Sequence, residues 1–335
     1  MKVAISCDHI LERKPIHRMI ELACSMFPDA VIYTLAHKPG QVLGPIEMHS
    51  IRSSFLSNVV ETEKDLKKKS YLIPVAAKKL SIPCSVDLII NFSSGFSHGI
   101  SHCEKTSVLN YYFADDLNAL PKSFSEKLFK SYLKNWSKRK FDSYSHKVQS
   151  HENLVPGLEV LRPFYNFEDY MFHEKPSTGN VALINPGNLT HRELFDLSEG
   201  FTEKNLRVVI LGEKIIGINN VEFLKNSCSG ELTPLFEQAK VVVEGNSTSF
   251  PEFGLSSFAS GRNVWVKESV ISRNFLGRDL PYFFRTVDQI IDNSDKSCNA
   301  QSKYRDHAAR YSQLLFKTSL MRQLKNMGHP YQLQK

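Results

Sequence analysis

Hydrophobic residues in the first half of the chain form short continuous runs, separated by segments of helical spacing. Five runs have the length and composition of buried strands, at 2–7, 30–35, 86–94, 107–113 and 145–150. Between the first two, apolar positions recur at helical spacing through Ile16, Ile20, Cys24 and Phe27. Apolar strands that alternate with helix-length segments are typical of a parallel sheet with helices on both faces. We therefore predict an N-terminal α/β domain over residues 1–160.

The same alternation begins again in the second half. Strands are predicted at 179–187, 206–212, 220–225, 240–245 and 263–268, and helices at 192–201 and 231–239. The aromatic and polar segment between the halves has no period and contains Pro163 and Pro176, which indicates a linker over 161–178. A second α/β domain is thus predicted over 179–300, followed by a helical C-terminal segment with a polar tail over 301–335.

Length and composition fit two globular domains and exclude several other classes. The chain has 335 residues, of which 41% are hydrophobic and 23% charged, so a disordered, collagen-like or coiled-coil protein is excluded. No apolar stretch reaches the ~20 residues that span a bilayer, and the N-terminus lacks a signal-peptide pattern. The six cysteines show neither a C-x-x-C pair nor metal-ligand spacing. We predict reduced, mostly buried thiols and a cytoplasmic protein.

The net charge of +7 is unevenly distributed. Residues 122–141 hold seven Lys or Arg against one Glu, with apolar positions at helical spacing, and a second basic segment lies at 64–80. One interpretation is a helix that packs on the core and exposes its lysines. The other is a surface for anionic lipid head groups or for a phosphate-bearing substrate. Nucleic acid is not expected as a partner, because no known nucleic-acid-binding signature accompanies these lysines.

Several catalytic motifs are absent. Neither G-x-G-x-x-G nor G-x-x-x-x-G-K-[ST] follows any predicted strand, which argues against NAD-dependent hydride transfer and ATP hydrolysis. H-E-x-x-H and D-x-D are also missing. Zinc-dependent hydrolysis of the H-E-x-x-H type is therefore not indicated.

One segment carries a family resemblance. The sequence "SGELTPLFEQAKVVVEGNSTSFPEFGLSSFASGRNVWV" (229–266) resembles the donor-binding segment of retaining glycosyltransferases of family 4. The opening "MKVAISCDHI" and the later "VDLIINFSSGFSHG" and "VALINPGNLTHRELFDLSEGF" resemble sugar transferases that build bacterial surface polysaccharides, in the same order along residues 1–300. The resemblance implies a GT-B fold, with two Rossmann-like α/β domains facing across a cleft and a C-terminal helical segment.

The resemblance also implies a metal-independent transfer from a nucleotide-sugar donor to a saccharide or lipid-linked acceptor, by an enzyme at the inner face of the membrane. Glu252 is then expected to contact the donor sugar at the cleft, with Asp115 as a second catalytic candidate and His98 on the acceptor or phosphate side. Glycine turns at Gly187 and at Gly254–Ser256 are expected to hold the diphosphate, with the two serines 256 and 257 as N-caps. The expected donor-binding residues are Gly187, Asn188, His191, Arg192, Gly212, Glu213, Phe253, Gly254, Leu255 and Ser256.

The chain also departs from that family. Ser260 stands where a second Glu usually binds the donor ribose, and "LERKPIH" replaces a Gly-Gly turn after the first strand. The family's Arg and Lys fall near Asn188 and Glu193, which leaves Arg192 as a displaced substitute. For His98 a surface position without function is the competing interpretation, and for Asp115 a helix cap. A catalytically inactive GT-B-like binding or partner subunit is therefore the alternative hypothesis.

Overall fold

The computed structural model describes residues 1–113, 124–152, 154–225, 228–245, 250–294 and 300–329, without the side chains of 124–130. The chain divides into two compact units, one formed by Met1–Phe164 with Leu314–Lys335 and the other by Tyr165–Gln313. The boundary falls inside the segment predicted as a linker, and the segment 301–335 is shared between the units.

The first unit is built on a seven-stranded sheet in which all neighbouring strands are parallel. In the order β3-β2-β1-β4-β5-β6-β7, strand β1 lies between β2 and β4. The strands are β1 (Val3–Ile10), β2 (Val31–His37), β3 (Ile51–Ser53), β4 (Leu88–Ser93), β5 (Ser107–Tyr112), β6 (His146–Gln149) and β7 (Glu159–Val160). Strands β1 and β4 are buried nearly along their whole length, and both begin with three apolar residues, as expected for central parallel strands.

Among the described residues of Met1–Phe164 the α-helices are α1 (Pro15–Met26), α2 (Glu63–Lys68), α3 (Ile73–Lys79) and α4 (Phe124–Asp142). Helices α3 and α4 contribute to one apolar cluster, in which Ala77 and Leu133 are fully buried and the partly buried Trp136 packs against it. A Cβ atom at Gly99 would lie 2.2 Å from the ring of Trp136, so this approach requires glycine. Within its described residues, α4 therefore packs on the core through one face and exposes Lys138, Arg139 and Lys140 on the other.

The second unit repeats the architecture with a six-stranded, all-parallel sheet in the order β10-β9-β8-β11-β12-β13. Its strands are β8 (Val181–Asn185), β9 (Arg207–Leu211), β10 (Glu222–Leu224), β11 (Ala239–Glu244), β12 (Trp265–Lys267) and β13 (Tyr282–Phe284). Its helices are α5 (His191–Glu203), α6 (Ser229–Gln238), α7 (Glu252–Ala259), α8 (Val270–Leu276), α9 (Asp288–Asp292) and α10 (Gln301–Ala309). The last helix, α11 (Gln313–Asn326), packs on the first unit, where the ring of Phe316 contacts those of Tyr111 and Phe164.

Two sequence predictions about local structure are wrong. Cys84 and Cys103 form a disulfide, whereas all six cysteines were expected to be thiols; Cys7 and Cys24 are buried thiols and Cys228 is an exposed one. Residues 252–259 form helix α7 and not a turn followed by an N-cap, because this segment is buried against the core from Phe253 onwards. No helix among the described residues is long and apolar enough to cross a membrane.

Candidate functional site

The carboxyl ends of the second unit's strands gather most of the predicted donor-binding residues. In parallel α/β sheets this edge is where ligands bind. Strands β8, β9, β11 and β12 end here at Asn185, Leu211, Glu244 and Lys267. We call this side of the second unit the donor edge.

The turn after β8 is held by backbone hydrogen bonds on both sides. Gly187 has φ +46°, which favours glycine, and the amide of Leu189 donates to the carbonyl of Pro186 at 2.8 Å. The amide of Asn188 donates to the carbonyl of Gly245 at 3.1 Å, which joins this turn to the end of β11. The turn leads directly into α5, so the positive end of that helix lies at the donor edge.

The first turn of α5 is capped by its own side chains. Thr190 Oγ1 accepts a hydrogen bond from the amide of Glu193, and Glu193 Oε2 accepts one from the amide of Thr190 at 2.7 Å. Lys267 Nζ, at the end of β12, lies 2.7 Å from Glu193 Oε1. Partial burial opposes ionisation, but the hydrogen bonds from Lys267 and Thr190 keep the pKa of Glu193 below its usual value. Lys267 is a cation of the donor edge that the sequence prediction missed.

His191 and Arg192, both predicted to bind the donor, have different surroundings. His191 Nε2 donates to the carbonyl of Ile216 at 2.8 Å and so fixes the loop after β9, which begins at Gly212 with φ +117°. The Arg192 side chain is 91% exposed and lies 3.8 Å from Asp196. Arg192 is therefore the more accessible of the two cations. Glu213, in the loop after β9, is paired at 2.8 Å with Lys225, which follows β10, and both side chains are mostly exposed.

Glu252 is the first residue of α7 and is partly exposed. An acidic residue in the first turn interacts favourably with the positive end of a helix. The next four residues are buried: Phe253 packs on the ring of Phe236 at 5.4 Å, and Ser256 Oγ donates to the carbonyl of Glu252 at 2.9 Å. The expectation that Ser256 and Ser257 cap a helix N-terminus is thus wrong, since both lie inside α7.

Gly254 was expected to let the backbone approach a diphosphate, but its amide already has a partner. The Gly254 amide donates to Glu244 Oε2 at 3.1 Å, and a Cβ atom at position 254 would lie 3.1 Å from Leu276 Cδ1. The glycine therefore faces a buried carboxylate and an apolar side chain of the same unit. Glu244 is a second residue that the sequence prediction missed; the only signal was a carboxylate at the end of an apolar strand.

In the first unit His98 is buried, in contrast to the surface interpretation. It is 2% exposed, its Nδ1 lies 3.1 Å from Ser137 Oγ, and its ring packs against Tyr112 and Phe141. Burial lowers the pKa of His98 to about 3. Its imidazole is therefore neutral at physiological pH and packed inside the first unit. Asp115, the other candidate on this side, lies outside the described residues.

The loop that carries His98 is held by a buried carboxylate at the end of β1. Asp8 accepts hydrogen bonds from the amides of Ser94, Phe96 and Ser97 at 2.6, 3.1 and 2.5 Å. Strand β1 pairs with β4, so the end of one strand meets the loop after the other. Asp8 thereby fixes the position of residues 94–98, which the sequence did not indicate.

A polar cluster near the same edge of the first unit was also missed. His9 Nε2 lies 2.5 Å from Glu63 Oε1, and Lys14 Nζ contacts the same oxygen. Burial opposes ionisation, yet His9 and Lys14 together hold the pKa of Glu63 below its usual range. His17 is neutral, because burial lowers its pKa to about 3, and its Nε2 lies 3.2 Å from the carbonyl of His9. These contacts fix the "LERKPIH" connection after β1.

Known structures match this chain over nearly its whole length, although no known family's model and no curated protein matches it. Sucrose-phosphate synthase from Thermosynechococcus elongatus is similar with a TM-score of 0.67 and 9% identity, over 98% of this chain and 99% of that chain. Anabaena Alr3699/HepE in complex with UDP has a TM-score of 0.66 and 11% identity, over 97% and 100%. The same protein in complex with UDP-glucose has a TM-score of 0.65 and 10% identity, over 97% and 100%.

The fold is that of GT-B glycosyltransferases. Both units are Rossmann-like, each with an all-parallel sheet flanked by helices, and a C-terminal helix, α11, is present. The predicted fold class is confirmed in these respects. At identities of 9–11% the likeness concerns the fold, and the activity is inferred separately below.

Proposed function

We propose that this protein transfers a sugar from a nucleotide-sugar donor to a saccharide or lipid-linked acceptor, with retention of anomeric configuration. The observation that carries the proposal is the match of at least 97% of the chain to GT-B structures, two of which hold UDP or UDP-glucose. The donor edge of the second unit supports it, because a glycine turn, a helix N-terminus, cations and a carboxylate occur there together.

The charge at the donor edge suits a nucleoside diphosphate leaving group. Negative charge develops on the β-phosphate as the glycosidic bond breaks, and fixed dipoles and cations stabilise it. The turn at Gly187, the N-terminus of α5 and Arg192 are the groups we assign to the diphosphate. His191 keeps the adjacent loop in place through its bond to Ile216. Protein groups then carry the charge, and we expect no metal to be required.

Glu252 is assigned to the donor sugar. A carboxylate accepts hydrogen bonds from two neighbouring hydroxyls, and these bonds strengthen as positive charge develops at the anomeric carbon. With retention, the acceptor oxygen attacks from the face that the diphosphate leaves. The acceptor's proton then passes to the departing phosphate oxygen, so one C–O bond forms as another breaks. Asp115 remains a candidate for the acceptor side.

The basic surface of the first unit is assigned to anionic lipid. Lys138, Arg139 and Lys140 of α4 are exposed, and Tyr132 on the same helix is 48% exposed. Basic side chains beside an exposed aromatic ring suit the interface of an anionic membrane. A peripheral location at the cytoplasmic face, where lipid-linked acceptors are presented, follows from this assignment.

One observation favours the alternative of an inactive GT-B-like partner subunit. Ser260, where the family places its second Glu, is fully buried, and its carbonyl accepts a hydrogen bond from the amide of His173 at 3.2 Å. A ribose therefore needs a different partner here. Such a subunit would bind a nucleotide sugar, if at all, without turnover.

A thermal-shift screen with UDP, GDP, CMP and their sugars tests the proposal. A true donor at ~100 times its dissociation constant stabilises the fold by ~2.7 kcal/mol. The product formed with that donor is then examined by NMR for its anomeric configuration. No stabilisation by any of these nucleotide sugars would contradict the donor assignment, and an inverted product would contradict retention.

A further inference from the structure

The most deeply buried carboxylate of the donor edge is Glu244, the last residue of β11. It is 0% exposed, yet it is acidic and lies at the end of an apolar strand. Its Oε1 accepts a hydrogen bond from Asn185 Nδ2 at 2.9 Å, and its Oε2 accepts one from the Gly254 amide at 3.1 Å. A buried carboxyl group needs such donors, because its removal from water is unfavourable unless hydrogen bonds compensate for the lost hydration.

These two bonds connect the two loops that flank the donor edge. Asn185 is the last residue of β8 and precedes the Gly187 turn, whereas Gly254 is the third residue of α7, which begins at Glu252. The backbone closes the same junction, since the Gly245 amide donates to the carbonyl of Asn185 at 2.9 Å. A Cβ atom at position 245 would lie 2.2 Å from the carbonyl oxygen of Pro186. The turn and the helix are thus held together at one point.

We propose that Glu244 is a positioning residue whose side chain is an internal hydrogen-bond acceptor for the N-terminus of α7. Its carboxylate takes the place that a ligand phosphate occupies at other helix N-termini, and it fixes Glu252 relative to the Gly187 turn. The Gly254 amide is consequently occupied by the protein itself. Of the two glycine turns expected to hold the diphosphate, only the one at Gly187 then serves. This proposal rests on the proposed function in one respect, namely that the donor edge binds a nucleotide sugar.

Truncation of the carboxylate followed by its replacement from solution tests the proposal. Glu244→Ala removes the carboxymethyl group, which acetate matches in shape and charge. We expect the melting temperature to fall by roughly 5 °C, because buried donors lose their acceptor. We expect exchange of the Gly254 amide with deuterium to accelerate at least tenfold. Acetate at about 0.1 M should reverse at least half of both changes, by binding the folded state.

Glu231→Ala is the matched control. Glu231 Oε2 accepts a hydrogen bond from the Cys228 amide at the start of α6, but this residue is exposed and its truncation leaves no buried site. Acetate should therefore shift this variant no more than wild type. Equal acetate shifts in all three proteins, or unchanged exchange of the Gly254 amide in Glu244→Ala, would overturn the proposal.

If Glu244→Ala does not fold, Glu244→Gln carries the test. Its amide oxygen can accept from Gly254 while its NH₂ group donates to a rotated Asn185, so we expect a protected Gly254 amide and no response to acetate. Rapid exchange at Gly254 in Glu244→Gln would overturn the proposal.

The affinity for UDP, used as the probe, separates this proposal from the proposed function. In Glu244→Ala we expect UDP to bind about tenfold more weakly, because the Gly187 turn and helix α7 are no longer fixed relative to each other. Acetate should restore the affinity. An unchanged affinity for UDP in a Glu244→Ala variant whose Gly254 amide exchanges rapidly would overturn the positioning role. A wild type that binds no nucleoside diphosphate would overturn the proposed function, while the exchange result would still decide the role of Glu244.

Discussion

Replacing His98 by Phe should make the first unit less sensitive to acid. His98 is buried between Tyr112 and Phe141, and burial lowers its pKa to about 3. In the unfolded chain a histidine has a pKa of about 6.5. Between these two pKa values the unfolded chain binds a proton at His98 and the folded protein does not. The unfolding free energy therefore has its full value above about pH 6.5 and decreases as the pH falls towards about 3.

The expected magnitude follows from these values. Each pH unit below about 6.5 costs the wild type about 1.4 kcal/mol through His98, so the loss is about 2.7 kcal/mol at pH 4.5. His98→Phe has no such loss but lacks the bond to Ser137, worth about 1 kcal/mol. Wild type should thus be the more stable near neutral pH, and the variant the more stable below about pH 5.8.

Urea unfolding followed by tryptophan fluorescence measures this difference in the first unit. The chain has two tryptophans, and Trp136 packs at Gly99, next to His98, whereas Trp265 belongs to the second unit. A Trp265→Phe background in both proteins leaves Trp136 as the reporter. The unfolding free energies should differ in slope by about 1.4 kcal/mol per pH unit between about pH 6 and 4. Parallel pH profiles would refute the burial of His98 and restore its surface interpretation.

Three further outcomes are expected. Gly245→Ala should destabilise the second unit by more than about 2 kcal/mol in urea unfolding, because its Cβ would lie 2.2 Å from the Pro186 carbonyl; a neutral effect would contradict this close approach. Breaking the Cys84–Cys103 disulfide, which closes a separation of 19 residues, should lower the unfolding free energy by about 3 kcal/mol, and identical curves with and without reductant would show that the bond is absent. Reversing four cations of 122–141 should reduce sedimentation with anionic vesicles, most strongly at low salt, and an equal reduction in a control with four reversals in the second unit would contradict a specific surface. The cations to reverse are Lys130, Lys134, Lys138 and Arg139, and those of the control are Lys175, Lys214, Lys240 and Lys303.

Much of the architecture was predictable because the central strands of a parallel sheet are buried on both faces. The runs that became β1, β4, β8 and β11 are largely apolar, so their alternation with helices indicated two α/β domains. Short edge strands carry this signal less reliably. Strand β3, with the sequence Ile-Arg-Ser, and the three-residue β13 were not predicted, whereas β10, an edge strand of the same length, was.

Helix α7 shows why local chemistry misled the prediction at the site. Its sequence contains Gly254 and the two serines 256 and 257 within six residues of Pro251, which locally favour a turn. Burial of Phe253, Leu255 and Phe258 within the second unit outweighs that preference. Gly254 and Ser256 are therefore buried inside a helix, whereas a turn followed by an N-cap was expected there.

The two buried carboxylates could not be assigned from the sequence, because their partners are distant along the chain. Asp8 binds the amide of Ser97, 89 residues away, and this contact exists only because β1 pairs with β4. Glu244 meets Asn185 only because β11 pairs with β8. Strand order decides both contacts, and apolar periodicity does not encode strand order.

Release of nucleoside diphosphate from a donor sugar tests the central claim most directly. Water can take the place of the unknown acceptor hydroxyl, so the donor found by the thermal-shift screen is incubated with wild type and with Glu252→Gln, and the diphosphate is quantified over time. We predict measurable release by wild type and a rate lower by ~10²-fold in Glu252→Gln, as for the loss of one electrostatic stabiliser, with a nearly unchanged melting temperature. Equal rates in the two proteins would remove Glu252 from the mechanism. Tight donor binding without any release by wild type, also with saccharide acceptors present, would contradict the enzyme and leave the inactive partner subunit.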